Sequence, residues 1–191
     1  MASPRKTARE GEVSELKTRV LQAVIEGRQA RSAYYACIGL RDGQELGPPA
    51  SELQIARFEK HLGKTLSPSY RTFLSLHNGW RMVSGTMDLL SLEEMMGGSR
   101  HAEIRRWQLL QMEAGDLVGS NALVIGWADL NLTKLLLDPE TMDENGEWIA
   151  IRYYYGPEQQ YPSFLSWLEE STRDNRELLK TESKGSTPTA L

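Results

Sequence analysis

Three histidines (His61, His77 and His101), one cysteine (Cys37) and an acidic run from Asp138 to Glu147 are the residues best suited to chemistry in this chain. Catalysis needs a nucleophile, a base and an orienting group within mutual reach, or a cluster of metal ligands. His77 shares a helical stripe with Phe73 and Leu74, which favours a packed imidazole held by one hydrogen bond over a base or ligand. Cys37 stands among Tyr34, Tyr35 and Ile38 and reads as a small buried hydrophobe. A single cysteine permits neither an internal disulfide nor a Cys-rich metal site. In the acidic run, placing Gly146 at the obligatory glycine of a calcium loop puts Thr141 at the first ligand position and Arg152 at the last, and neither supplies a carboxylate. No HExxH, GxSxG or phosphate-binding loop is present. The expectation is a chain that is not an enzyme, with no catalytic residue, no metal and no cofactor.

Recognition remains, and it selects different residues. Asp138, Glu140, Asp143, Glu144 and Glu147 crowd a loop containing Asn145-Gly146, and exposed loops on rigid scaffolds often carry binding. In the run Tyr153-Tyr154-Tyr155 successive rings must alternate faces if the backbone is extended, so an outward Tyr154 is a candidate anchor. Trp80, after the Asn78-Gly79 turn and beside Arg81, is a candidate for a partly exposed contact residue, the alternative being a side chain that only covers the sheet. Trp107, Trp127, Trp148 and Trp167 fall within regular elements and are expected in the core.

The elements that position these residues follow from periodicity. Residues 1–12 and 182–191 lack apolar spacing and read as disordered tails. Val13, Leu16, Val20, Val24 and Tyr35, with Leu21, Ile25 and Ile38 alongside, predict an amphipathic helix ending before Gly39, and Arg41 to Pro49 reads as a loop. Ser51 with Gln54 and Ser91 with Glu94 have capping-box spacing, while Ser67-Pro68 reads as the N-cap and first residue of another helix. Helical spacing resumes after Gly97-Gly98 through Ile104, Trp107 and Leu110. Strands are expected at 86–90, 123–127, 133–137 and 148–155, the last two forming an antiparallel hairpin, before a final helix entered through Tyr161-Pro162-Ser163.

Charge narrows the partners. The net charge of −4 conceals a middle segment, residues 49–172, with ten basic against 17 acidic side chains. That balance repels phosphate backbones and attracts basic surfaces, so direct nucleic-acid binding is disfavoured and a basic protein partner favoured. No stretch approaches the ~20 apolar residues of a membrane span, and the start lacks the apolar core of a signal peptide. A cytoplasmic protein with no membrane contact is expected, and nothing in the pattern specifies an oligomeric state.

The succession Gly63, Leu66-Ser67-Pro68-Ser69-Tyr70, Phe73-Leu74 and Asn78-Gly79-Trp80 resembles the opening motif of the SUKH superfamily. That superfamily holds bacterial toxin-immunity proteins and a fungal cell-wall-assembly regulator. Ile125-Gly126, Leu137-Asp138, Asn145-Gly146-Glu147-Trp148 and Tyr161-Pro162-Ser163-Phe164 continue the likeness in order over residues 49–172. Ser67 departs from the family's usual proline there. The resemblance implies an α+β single domain with a curved, mainly antiparallel sheet, helices packed around it and no shared catalytic constellation. It leaves residues 13–48 as an additional N-terminal helix and loop, and 173–191 as helix end and tail. By the same resemblance the expected role is neutralising a cognate toxin, often a nuclease, with its basic domain as partner. A regulatory scaffold of the fungal type is the alternative. A small hydrolase or metal-dependent enzyme would instead require polar groups to converge around His77, Asp88 or Asp138.

Overall fold

The computed structural model describes residues 4–130 and 132–185. Seven strands form one open antiparallel meander in chain order: β1 (Glu45–Leu46), β2 (Trp80–Ser84), β3 (Met87–Leu89), β4 (Leu123–Ala128), β5 (Lys134–Met142), β6 (Trp148–Tyr153) and β7 (Pro157–Tyr161). Seven helices accompany them among the described residues: α1 (Pro4–Cys37), α2 (Glu52–Leu62), α3 (Pro68–Leu76), α4 (Leu92–Met96), α5 (Gly98–Glu113), α6 (Leu117–Asn121) and α7 (Phe164–Gly185). The architecture is α+β, as the resemblance implied. Four of the six ladders contain a register shift, and such bulges bend a strand and increase its twist.

Local chemistry explains most of the boundaries. Ser51/Gln54 and Ser91/Glu94 form complete capping boxes at the starts of α2 and α4. Gly63 closes α2 in the left-handed region at φ 72°. Asn78 ties the turn after α3 to the next helix: its carbonyl oxygen accepts from Leu92 N at 2.8 Å, and its amide donates to Glu93 at 2.7 Å. Ser163 Oγ accepts from Ser166 N at 3.1 Å at the start of α7. At Gly126, in β4, a Cβ would sit 2.8 Å from Leu135 Cβ and 3.1 Å from Met87 Sδ, so the middle of the sheet requires the missing side chain.

Several expectations change. The first helix starts at Pro4, well before Val13, so the N-terminal tail is helical from Pro4 onward; residues 1–3 lie outside the described residues. Likewise α7 runs to Gly185, past Glu182, and the remainder of that expected tail is outside the described residues. The loop Arg41 to Pro49 contains β1, which pairs with β2, and β7 and α6 also went unforeseen. β7 reads Pro-Glu-Gln-Gln-Tyr and has no apolar alternation; β2 is broken by Met82 at φ 51°. Cys37 is exposed rather than buried, because α1 turns a different face inward.

That face consists of Val20, Ala23, Val24, Ala30, Arg31 and Tyr35, with Gly27 among them, while Val13, Leu21 and Ile25 are exposed. Small residues let two backbones approach, and α1 lies alongside α7 running in the same direction, with ion pairs from Arg19 to Glu169 and Glu26 to Arg176. A Cβ on Gly27 would meet Thr172 Oγ1 at 3.0 Å and Trp80 Cη2 at 3.3 Å. The N-terminal helix therefore packs on the core, which extends continuously from it through Phe73, Leu92 and Leu135 to Phe164.

Candidate functional site

The residues proposed from sequence fall into three places. Trp80 lies in the core at 1% exposure, correcting the expectation of a surface contact. It pairs with Leu46 and Leu89 across β1 and β3 and is covered by α1 at Gly27, a helix whose position the residues around Trp80 do not reveal. Its indole nitrogen is buried without a hydrogen-bond partner.

The acidic residues stay together at the tip between β5 and β6, but most serve the fold. Asp138 accepts from Glu140 N at 3.0 Å and Thr141 Oγ1 at 2.9 Å, closing the bulge in β5. Glu140 is paired with Lys64. Asp143 accepts from Asn145 N at 2.8 Å and Glu147 N at 2.9 Å, and these backbone donors hold its carboxyl below the usual carboxylate range. Glu147 is half-buried and accepts from Ser69 N at 2.8 Å and Ser69 Oγ at 2.7 Å; burial pushes its carboxyl upward despite those bonds. Glu147 thus supplies the cap of α3 that the sequence assigned to Ser67, whose own hydroxyl is buried without a partner. Glu144 is exposed and, among the described residues, has no side-chain hydrogen bond or ion pair.

His77, Asp88 and Asp138 do not converge. His77 Nδ1 faces Gly47 O at 3.4 Å, with burial lowering its pKa; Asp88 accepts from Met82 N at 2.7 Å. Among the described residues no group of three or more His, Cys, Asp or Glu side chains could hold a metal ion, and no helix is long and apolar enough to cross a membrane.

The third place is the opposite end of β5 and β6, where Tyr154 does belong. Ladder register sets Trp127, Lys134 and Tyr153 side by side on β4, β5 and β6, and Trp107 of α5 packs edge-on against both Tyr153, at 5.2 Å, and Trp127, at 6.5 Å. Tyr153 donates toward Gln111 Oε1 at 2.8 Å and also contacts the Asp116 carboxylate, and burial raises its pKa. Lys134 Nζ sits 3.8 Å from the Trp127 ring centroid and donates to Leu132 O at 2.9 Å. Burial brings its pKa down to about 8, against the opposing pull of the Asp129 charge. A cavity of ≈ 260 Å³ opens here, lined by Trp107, Gln111, Leu132, Lys134, Tyr153 and Tyr155.

Two of its lining residues are strained. Leu132 at φ 60° and Tyr155 at φ 55° are in the left-handed region, uncommon for such side chains, and each such conformation costs about 1–3 kcal/mol. Both point apolar surface at solvent, Leu132 at 51% and Tyr155 at 78% exposure, with Leu130 at 83% nearby. Tyr154 is also exposed, its ring edge-on to Tyr155 at 4.6 Å. Met82, the third non-glycine residue at positive φ among the described residues, has a structural explanation: it occupies the β2 bulge and its side chain packs over Gly43. The sequence showed Tyr154 but missed Leu132 and Tyr155, because positive φ at a non-glycine residue has no compositional signal. It also did not show that α5 would place Trp107 over the strand ends.

An antiparallel meander flanked by helices, with an aromatic row at one end, defines an α+β sheet scaffold. The model of the SMI1 / KNR4 family (SUKH-1) matches residues 49–170, and the chain belongs to that family. Its N-terminal helix α1 precedes the matched region and packs against it. None of the curated proteins matches the chain.

Proposed function

We propose that this chain is an immunity-type binding module of the cytoplasm that neutralises a bacterial toxin by docking, with the strained aromatic end of the sheet as its contact surface. The observation that carries the reading is Leu132 and Tyr155, held at positive φ beside one cavity with their side chains in solvent. Burial does not account for that strain, whereas a partner that covers both side chains would. The aromatic and aliphatic groups supply the kind of centre that dominates binding energy at interfaces. The acidic balance of residues 49–172 suits a basic partner, such as a nuclease domain, through faster association. Membership of the SUKH-1 family supports the class of protein.

The test is co-purification with the toxin-like product of a neighbouring gene, paired with a growth-protection assay. Binding and protection that fall together in Tyr155→Ala support the reading. Protection that survives loss of both Leu132 and Tyr155 side chains removes this surface from the function, and failure to bind any candidate toxin removes the immunity role.

A further inference from the structure

A second cleft opens on a different face of α5. It lies between α2, α5 and the start of β4, with a volume of ≈ 330 Å³. Leu62 and Leu123 contribute apolar surface over the buried Phe58, and His61, His101 and Arg105 are its ionisable lining; no carboxylate side chain lines it. This is notable in a domain where acidic side chains outnumber basic ones. Four of the domain's seven arginines, Arg71, Arg81, Arg100 and Arg152, form ion pairs. Arg105 is exposed and bonds only the neutral Gln108, at 3.4 Å, and Arg57, exposed one helical turn before His61, makes no ion pair among the described residues. His101 Nδ1 is tied to Met95 O at 2.6 Å, which fixes the ring in the wall and turns Nε2 away from that bond.

We propose that this cleft binds an acidic, amphipathic peptide segment of a partner protein, its apolar side chains on Leu62 and Leu123 and its carboxylates on Arg57, Arg105 and His61. Helix-in-groove recognition requires this combination of an apolar floor and a charged rim, and arginine forks suit carboxylates. The apolar floor separates this from a nucleic-acid site. A phosphodiester chain would leave it uncovered, and Phe58 is buried at 2% exposure rather than displayed for stacking. The cleft and the sheet-end cavity use different faces of α5: residues 101, 104, 105 and 108 line one, residues 107 and 111 the other. The inference therefore stands apart from toxin docking.

The experiment titrates the full-length protein into a labelled peptide designed as an amphipathic helix, with leucine and phenylalanine on one face and glutamate on the other. A counterpart carries lysine for every glutamate. Saturable binding of the acidic peptide alone is expected, weakened about tenfold by Arg105→Glu, weakened also by Arg57→Glu, and unchanged by Tyr155→Ala. Both charge reversals are at exposed positions, so folding is retained, and the peptide swap requires no variant at all. Equal binding of the two peptides, or full affinity in both charge-reversal variants, overturns the proposal. So does a single-stranded oligonucleotide, or a simple dicarboxylate, that binds the cleft as tightly as the acidic peptide.

Discussion

The two ends of the β5–β6 ribbon are built from residues that all look like recognition elements, yet they use them in opposite ways. At the hairpin tip, polar groups are consumed internally: Asp138 and Asp143 close turns, Glu140 pairs with Lys64 and Glu147 caps α3. At the other end Leu132 and Tyr155 sit in a strained backbone and face water. A residue's capacity for interaction is no guide to its availability. The tip spends much of its hydrogen-bonding capacity on order, whereas the sheet end leaves apolar surface in solvent.

The contrast is most exposed to failure in binding. Removing both Leu132 and Tyr155 side chains, as alanines, is expected to weaken binding of the proposed toxin partner by about 2–4 kcal/mol, the scale of interface hot spots, while the melting temperature holds or rises. Isothermal titration beside thermal unfolding checks it; unchanged affinity would make the two ends equivalent. Glu147→Ala should do the reverse. Without its cap, α3 loses acceptors for Ser69 N and Oγ, a destabilisation of about 1–2 kcal/mol by urea unfolding, with affinity intact in the folded fraction. Leu132→Gly follows. Glycine adopts φ 60° without the side-chain penalty, so the substitution should stabilise the domain by up to about 1 kcal/mol while reducing affinity, a separation that a purely structural loop would not produce.

Which of these features the sequence announced depends on how locally each is determined. Capping boxes at Ser51 and Ser91, the Gly97-Gly98 break and the β5–β6 hairpin are set by neighbours within a few residues, and they were legible. The buried face of α1 was half legible: Val20, Val24 and Tyr35 signalled it, but the contact with α7 relies on Ala23, Gly27 and Ala30, which carry little apolar weight. Trp80 was misjudged because its cover comes from α1, more than fifty residues earlier. The acidic tip falls at the hairpin, as read from the sequence, but the capping role of Glu147 was not legible, since its contact with Ser69 spans most of the domain sequence. The aromatic row Trp127, Lys134 and Tyr153 exists only through strand register.

Proton linkage gives the smallest and most specific separation of the two ends. Lys134 has its pKa lowered from 10.5 to about 8 by burial, so between those values the unfolded chain binds more protons than the folded one, and stability rises as pH increases through that window. Below about pH 8 both states are protonated and the full cost of burying the ammonium is present. Lys134→Met should remove the alkaline gain and leave the acid side unchanged. At the tip, Asp143 has a depressed pKa; its contribution is present above the unfolded carboxylate range and is lost as pH falls through the folded value. Glu147 opposes it, because its raised pKa makes stability fall as pH climbs from 4.5 toward that folded value. Asp143→Asn should therefore flatten the acid limb, and Glu147→Gln should steepen it. Urea midpoints measured across pH for the three variants check the assignment; an alkaline gain that persists in Lys134→Met would mean that the ammonium is hydrated and that the sheet-end cavity is open to water.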